Sequence, residues 1–130
     1  MTNKNRARIL IVEDDTPLAM MMVSLLTRAG CDTLVARTGE KGMELALKQK
    51  FDLITLDVDL PDMNGFEICS ELKQRHLSFR TPIVFVSGRT SEEDRQRAHE
   101  LGAVDFVEKP FGAREFISRI LSHFKEDTLA

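Results

Sequence analysis

Five short apolar runs stand out along the chain, and none of them alternates regularly with polar residues. Runs of this kind are typical of strands that are buried on both faces of a parallel sheet. We therefore predict strands at residues 8–12, 33–36, 51–56, 82–86 and 103–107. A stretch with helical spacing follows each run, and strands that alternate with helices indicate right-handed βαβ crossovers.

The first helix has the clearest signals. Thr16 is its predicted cap, Pro17 stands at the first helical position, where proline is tolerated, and Gly30 ends it. The predicted inward face comprises Leu18, Met22, Leu25 and Ala29, flanked by Met21 and Leu26. The opposite side, either incidentally exposed or a surface for a partner, comprises Met20, Val23 and Thr27.

The other helices are predicted at residues 39–48, 65–76, 91–102 and 113–124. The fourth helix is polar on most sides and has Ala98 and Leu101 as its main core residues, so we expect it to be weakly anchored. The fifth carries an inward apolar stripe of Phe116, Ile117, Ile120, Leu121 and Phe124. The histidines are interpreted as surface or helix-end residues: His76, His99 and His123.

The composition adds little to this picture. The chain has 130 residues and a net charge of −3, which fits one ordinary globular domain and disfavours a nucleic-acid binder, a class that is normally basic. Cys31 and Cys69 lie in no metal or redox spacing and are predicted to be free thiols in a reducing compartment. No segment resembles a signal peptide or reaches the roughly 20 apolar residues of a membrane span, so we expect a cytoplasmic protein.

Reactive side chains follow four of the five predicted strands. In an open α/β sheet, ligands bind outside the carboxyl ends of the strands. Those ends carry acids, a hydroxyl group and an ammonium group: Glu13, Asp14 and Asp15 after the first strand, Asp57 after the third, Ser87 after the fourth, and Lys109 with Pro110 after the fifth. The second strand is followed by Arg37 and Thr38, which we interpret as loop residues.

A cluster of Asp14, Asp15 and Asp57 is unfavourable by itself, because like charges raise one another's pKa. Mg²⁺ relieves that repulsion, needs only one or two carboxylates and leaves room for phosphoryl oxygens. An aspartate can act as a nucleophile and form an acyl phosphate, which Lys109 and Ser87 would stabilise by charge and by a hydroxyl donor. Taken singly, these residues are more often helix caps, turn residues or surface lysines than functional groups, but together they favour phosphoryl transfer to a carboxylate.

At this point the motifs match a known family. The chain resembles the receiver domains of two-component response regulators over about residues 8–124. The motifs that carry the resemblance are ILIVEDD at residues 9–15, DLITLD at 52–57, LPDMNG at 60–65, PIVFVSG at 82–88 and VEKPF at 107–111. The resemblance implies a flavodoxin-like fold, a doubly wound five-stranded parallel sheet in the order 2-1-3-4-5 with helices on both faces. We expect a single receiver domain over residues 1–130, with frayed ends.

The resemblance implies a metal-dependent phosphoacceptor site. Asp57 is the implied phosphoacceptor. Mg²⁺, or Mn²⁺ in its place, is held by Asp14, Asp15 and Asp57, with the backbone carbonyl of Asp59 as a further ligand. The only chemistry expected of the domain is its own phosphorylation and dephosphorylation, so it serves as a signalling module and not as an enzyme.

The resemblance also implies a conformational switch. Ser87 would hydrogen-bond the phosphoryl group and move towards it, Lys109 would pair with that group, and the Lys109–Pro110 peptide bond would be cis. Phe106 stands where the family has an aromatic residue that turns inward when Ser87 shifts. Plain core packing is the alternative interpretation of Phe106.

Two residues that flank this site depart from the commonest pattern. Asp59 lies two residues after the acceptor and Arg89 lies two residues after Ser87. In the family these positions influence how long the phosphoryl group survives. We hypothesise that Asp59 and Arg89 form an ion pair over the mouth of the site and impede the hydrolytic water, although an exposed pair contributes less than about 1 kcal/mol.

The implied phosphodonor is a histidine kinase or a histidine phosphotransfer protein that docks beside the first helix. The fourth helix, fifth strand and fifth helix would control a downstream protein or output domain, with four candidate contacts: Arg95, His99, Phe106 and Arg114. We expect no direct nucleic-acid binding and no membrane insertion. The sequence leaves open whether the domain dimerises and whether it acts alone or belongs to a longer chain.

An enzyme is the competing interpretation. Asp57-Val58-Asp59 has the Asp-x-Asp form of haloacid-dehalogenase-type phosphatases, which also form aspartyl phosphates. In that family the nucleophile follows the first strand and the metal-binding acids come late in the chain. Here the additional acids come early, at Asp14 and Asp15, which disfavours a phosphatase.

Overall fold

The computed structural model describes residues 6–75 and 81–124, which form one parallel sheet covered by helices on both faces. The strands are β1 (Arg8–Val12), β2 (Asp32–Ala36), β3 (Leu53–Leu56), β4 (Ile83–Ser87) and β5 (Asp105–Glu108). The helices are α1 (Thr16–Arg28), α2 (Gly39–Lys48), α3 (Gly65–Gln74), α4 (Glu92–Glu100) and α5 (Ala113–Leu121). The sheet order is β2-β1-β3-β4-β5, which confirms the predicted fold.

Two apolar layers sandwich the sheet. Alternate residues of β1 enter different layers: Leu10 and Val12 face α2, α3 and α4, whereas Ile9 and Ile11 face α1 and α5. All four of these side chains are buried. Burial on both faces explains why the central strands read as unbroken apolar runs in the sequence.

Helix α1 differs from its prediction in its cap and in its inward face. The side chain of Asp15, not that of Thr16, caps the helix by accepting a hydrogen bond from the backbone N–H of Leu18 at 3.1 Å. The buried residues of α1 are Ala19, Met22 and Leu26, while Leu18, Val23 and Leu25 are half-buried and Met21 and Ala29 are exposed. The predicted face was therefore rotated, because α1 packs against both the sheet and α5.

The remaining elements agree with prediction to within a few residues. Helix α2 has the predicted bounds, and α4 begins one residue later than predicted, because Ser91 is its cap and accepts a hydrogen bond from the backbone N–H of Asp94. Strand β5 begins two residues later than predicted; the backbone N–H of Ala103 donates to the carbonyl of Ala98 in α4, and that of Val104 donates to the carbonyl of Ile83 at the start of β4. Helix α5 ends three residues early, yet Phe124 beyond it is buried as expected.

Several other predictions have clear outcomes. Only Ala98 is buried in α4, which agrees with weak anchoring of this helix. Cys31 and Cys69 are free and buried, and burial raises the pKa of the Cys69 thiol to about 11. His76 and the termini that were predicted to fray lie outside the described residues. Within the described part of the chain, no helix is both long and apolar enough to cross a bilayer.

Candidate functional site

The register of the sheet brings two acids together at its carboxyl edge. Val12 of β1 lies opposite Leu56 of β3, so the residues that follow, Glu13 and Asp57, are neighbours. The backbone N–H of Asp57 donates to the carbonyl of Val12 at 3.1 Å and continues the ladder one step beyond the strands. Both side chains are buried, Glu13 at 1% and Asp57 at 6% relative exposure.

Asp14 completes a cluster of three acids. One carboxylate oxygen from each of Glu13, Asp14 and Asp57 lies within 4.8 Å of the other two. Asp14 is half-buried, so the cluster opens to solvent on its side. Three convergent carboxylate oxygens are ligands of the kind that a hard divalent cation such as Mg²⁺ prefers, and the donor set therefore fits that ion.

Lys109 brings a positive charge to this cluster from the end of β5. Its ammonium nitrogen lies 2.8 Å from Glu13 Oε1 and 3.1 Å from Asp57 Oδ2. The backbone N–H of Lys109 donates to the carbonyl of Ser87 at 2.8 Å, which ties the lysine to the end of β4. The peptide bond between Lys109 and Pro110 is cis.

Burial sets the protonation chemistry of these groups. Burial raises the pKa of Glu13, and the negative charge of Asp57 raises it further, against the opposing hydrogen bond from Lys109. Burial by itself would lower the pKa of Lys109, but the hydrogen bond to Glu13 and the charge of Asp57 outweigh it, so the pKa is raised. Lys109 therefore remains a cation at neutral pH and can compensate additional negative charge at Asp57.

The structure separates Asp15 from the three clustered acids. Its side chain is exposed and caps α1, so its carboxylate serves the helix. Glu13 occupies the place in the cluster where the sequence suggested Asp15. The position of Glu13 in the cluster could have been predicted from the sequence. Glu13 and Asp57 are each the first residue after a predicted strand, and neighbouring strands of a parallel sheet end side by side.

Ser87 lies at the end of β4, the strand that pairs with β3, and Phe106 lies on β5 beyond it. Ser87 is fully buried, and its hydroxyl oxygen accepts a hydrogen bond from the backbone N–H of Arg89 at 3.1 Å. Phe106 is 5% exposed and packs against Phe85, with ring centroids 6.2 Å apart. The guanidinium of Arg95 covers the ring of Phe106 at 5.2 Å. Phe106 is thus turned inward in this structure.

Asp59 and Arg89 form an ion pair beside Asp57 and Ser87 in the sequence, as hypothesised. Arg89 Nη2 lies 2.8 Å from Asp59 Oδ1, and Arg89 Nε lies 3.2 Å from both carboxylate oxygens. A second acid, Asp94 at the start of α4, lies 3.7 Å from Arg89 Nη1. Hydrogen bonds from its own guanidinium to Asp59 raise the pKa of Arg89. The pair is exposed on both sides, so its energetic contribution is small.

The first residue of α3, Gly65, packs against the backbone of Asp57. Gly65 donates its backbone N–H to the carbonyl of Val58 at 2.7 Å. A Cβ atom on Gly65 would lie 2.1 Å from the carbonyl oxygen of Asp57, so only glycine fits there without moving the acid. The backbone N–H of Asp59 donates to Asp57 Oδ1 at 3.2 Å, which helps to orient the carboxylate.

Known proteins resemble the chain along most of its length. Residues 9–121 match the family described as the response regulator receiver domain. The alkaline phosphatase synthesis transcriptional regulatory protein PhoP of Bacillus subtilis is 36% identical over 123 residues, which cover 95% of this chain and 50% of that protein. The transcriptional regulatory protein CpxR of Escherichia coli is 40% identical over 113 residues, covering 87% of this chain and 47% of that protein.

A solved structure gives the same picture. The CheY-like response regulator receiver domain protein from Methanospirillum hungatei superposes with a TM-score of 0.86 and 29% identity. That match covers 94% of this chain and 96% of the solved one. By contrast, the chain spans about half the length of the curated relatives described above.

Proposed function

The chain belongs to the family of response regulator receiver domains, and from this premise we propose that Asp57 accepts a phosphoryl group from a phosphohistidine donor. The observation that carries the proposal is the position of Asp57, a buried carboxylate that contacts the Lys109 ammonium at 3.1 Å within a cluster of acids. An oxygen of Asp57 forms the new O–P bond as the N–P bond of the donor breaks. The electron pair of that bond stays on the imidazole nitrogen.

We propose that Glu13, Asp14 and Asp57 hold the divalent cation, Mg²⁺ or Mn²⁺, with the backbone carbonyl of Asp59 as a further ligand. The cation would neutralise charge on the transferring phosphoryl group. Glu13 replaces Asp15 in this assignment, because the carboxylate of Asp15 is engaged at the start of α1. Three acids without a cation would repel one another, and one lysine compensates only part of their charge.

Lys109 and Ser87 would bind the phosphoryl group once it is attached. Lys109 already contacts the acceptor oxygen, so it needs only to shift from carboxylate to phosphoryl oxygens. Ser87 would exchange its hydrogen bond with the backbone N–H of Arg89 for one that its hydroxyl donates to the phosphoryl group. That exchange releases the loop between β4 and α4 and would bias the packing of Phe106 and of the weakly anchored α4.

The signalling role defines the partners that we propose. A histidine kinase or a histidine phosphotransfer protein would supply the phosphoryl group, and the surface of α4, β5 and α5 would act on a downstream protein or output domain. Residues 1–130 would function as one receiver domain, either as a monomer or as a dimer. The net charge of −3 disfavours binding to the negatively charged phosphates of nucleic acid, so we propose that this domain makes no direct contact with DNA.

Intact-mass spectrometry tests this function. The chain is incubated with Mg²⁺ and a small acyl phosphate or phosphoramidate, alongside the Asp57→Asn variant and a sample with excess chelator. We expect one phosphoryl adduct on the unsubstituted chain and none in the two controls. An adduct that persists in Asp57→Asn would overturn the assignment of the acceptor, and steady turnover of small phosphomonoesters would favour the phosphatase interpretation.

A further inference from the structure

Arg37, the first residue after β2, reaches across the carboxyl edge of the sheet to the loop between β1 and α1. Its Nη2 and Nε atoms lie 2.9 Å and 3.3 Å from the backbone carbonyl oxygen of Asp14. The same Nη2 atom contacts the hydroxyl of Thr16. One guanidinium therefore forms hydrogen bonds with the loop on both sides of residue 15. The carbonyl that accepts two of them belongs to Asp14, a residue of the acidic cluster.

We propose that Arg37 is a positioning residue for the divalent cation: by fixing the backbone of Asp14, it keeps the carboxylate of that residue aimed at Glu13 and Asp57. This inference rests on the metal site proposed above. It assigns a function to a residue whose sequence position indicated only a loop, and Arg37 itself would touch neither the cation nor the phosphoryl group.

Other hydrogen bonds in this loop fix the two neighbours of Asp14 but not the carbonyl of Asp14 itself. The backbone N–H of Glu13 donates to the carbonyl of Ala36 at 2.9 Å, and the backbone N–H of Asp15 donates to Glu13 Oε2 at 3.2 Å. The carbonyl of Asp15 begins the ladder of α1 by accepting from the N–H of Ala19 at 2.9 Å. Within the described residues, Arg37 supplies the hydrogen bonds to the carbonyl of Asp14, so its loss would free this residue between two fixed neighbours.

The chemistry of arginine suits this task. The planar guanidinium presents several donors in a rigid fork, so it can serve one carbonyl with two N–H groups and a hydroxyl with another, which a lysine ammonium cannot match geometrically. The fork forms no ion pair with an acid among the described residues, so its bonds go to the loop. Arg37 also adds a permanent positive charge near three acids, and this charge partly offsets their repulsion before a cation binds.

A distinct kinetic signature follows from a role in positioning. If the loop carries Asp14 correctly for only a fraction of the time, the apparent dissociation constant of the cation rises by the inverse of that fraction. At saturating cation the competent arrangement is restored, so the rate of phosphorylation should recover. A residue that acted in the chemical step would instead lower the rate at every cation concentration.

The test compares four versions of the 130-residue chain: unsubstituted, Arg37→Met, Arg37→Lys and Arg28→Met. Arg28 is an exposed arginine at the end of α1, so its variant controls for the loss of one surface charge. Mn²⁺ affinity is measured by titration calorimetry, and the rate of phosphorylation by a small acyl phosphate is measured across Mg²⁺ concentrations. Urea unfolding of each chain reports whether a variant remains folded.

We expect Arg37→Met to raise the Mn²⁺ dissociation constant about tenfold, in the range found for residues that orient metal ligands. Arg37→Lys should fall between this variant and the unsubstituted chain, and Arg28→Met should match the unsubstituted chain. The phosphorylation rate of Arg37→Met should return to normal at saturating Mg²⁺. Unchanged Mn²⁺ affinity in Arg37→Met, or a rate that stays low at saturation, would overturn the inference alone, whereas no Mn²⁺ binding by the unsubstituted chain would overturn the metal site with it.

Discussion

The ammonium group of Lys109 lies 2.8 Å from the carboxylate of Glu13, closer than its 3.1 Å approach to Asp57. Glu13 is therefore the first ion-pair partner of Lys109 in this structure. The pair links the end of β1 to the end of β5, across β3 and β4. A buried acid in this position can both orient the lysine and offer an oxygen to a cation.

Substitutions at Glu13 and Asp15 separate the two assignments of the metal ligands. We expect Glu13→Gln to weaken Mn²⁺ binding by at least about tenfold, because it removes a charged oxygen from the cluster. Asp15→Asn keeps a capping oxygen, so Mn²⁺ affinity should stay within about threefold. Asp15→Ala loses the cap and should lower the free energy of unfolding by about 1 kcal/mol. A large loss of affinity in Asp15→Asn with none in Glu13→Gln would restore the assignment made from the sequence.

The ion pair between Asp59 and Arg89 predicts a modest effect on the lifetime of the aspartyl phosphate. If the pair impedes the hydrolytic water, Asp59→Ala and Arg89→Ala should each shorten the lifetime, by no more than about fivefold, since an exposed pair contributes less than about 1 kcal/mol. The double variant should be no worse than the single variants, because both remove the same interaction. The lifetime is measured by the decay of the phosphorylated species, and no change in Asp59→Ala would end the hypothesis.

Thr55 offers a test of the packing beneath the site. Its hydroxyl is buried in the middle of β3 and has no hydrogen-bond partner among the described residues. Thr55→Val replaces the hydroxyl by a methyl group of similar size, so it should raise the free energy of unfolding by about 1 to 2 kcal/mol. Urea denaturation measures the difference. A loss of stability would mean that the hydroxyl has a partner after all.

Asp105 predicts a specific loss of stability in acid. Burial would raise its pKa, but hydrogen bonds from Arg119 and His123 outweigh burial, and the pKa lies below the ordinary range. A lowered pKa means that the ionised form stabilises the fold at pH values above the ordinary pKa of about 3.9, and that this contribution disappears as the pH falls towards the folded-state pKa. The unfolding free energies of the unsubstituted chain and Asp105→Asn should therefore differ most near neutral pH and converge below about pH 4. A gap that stays constant down to the acid limit would contradict this.

Much of the architecture can be predicted from the sequence, because the strands of a doubly wound sheet are buried on both faces and therefore form unbroken apolar runs. The same periodicity is less informative for α1, where Val23 and Met21 exchanged their predicted environments. That helix packs on the sheet and on α5 at once, so spacing along one helix does not fix the centre of its buried arc. The tertiary contacts of α1 determine which of its residues are buried.

The residues of the candidate site could likewise be predicted only in part from the sequence. Asp57, Ser87 and Lys109 each follow a strand, so the topology alone predicts that they meet. The choice among three consecutive acids after β1 depends on which side chain faces β3, and that depends on the cap of α1. The contact of Arg37 with Asp14 could not be predicted from the sequence. It joins two loops that are distant in sequence, and the acceptor is a backbone carbonyl, which does not depend on the type of side chain.

Chemical mapping of the phosphorylated residue tests the central claim most directly. The chain is phosphorylated with a small acyl phosphate and Mg²⁺ and then treated with borohydride, which reduces an aspartyl phosphate to homoserine. Tandem mass spectrometry of the digested protein locates the homoserine. We expect homoserine at position 57 alone. Homoserine at position 14, 15 or 59, or its absence from a chain that carries the phosphoryl group, would contradict it.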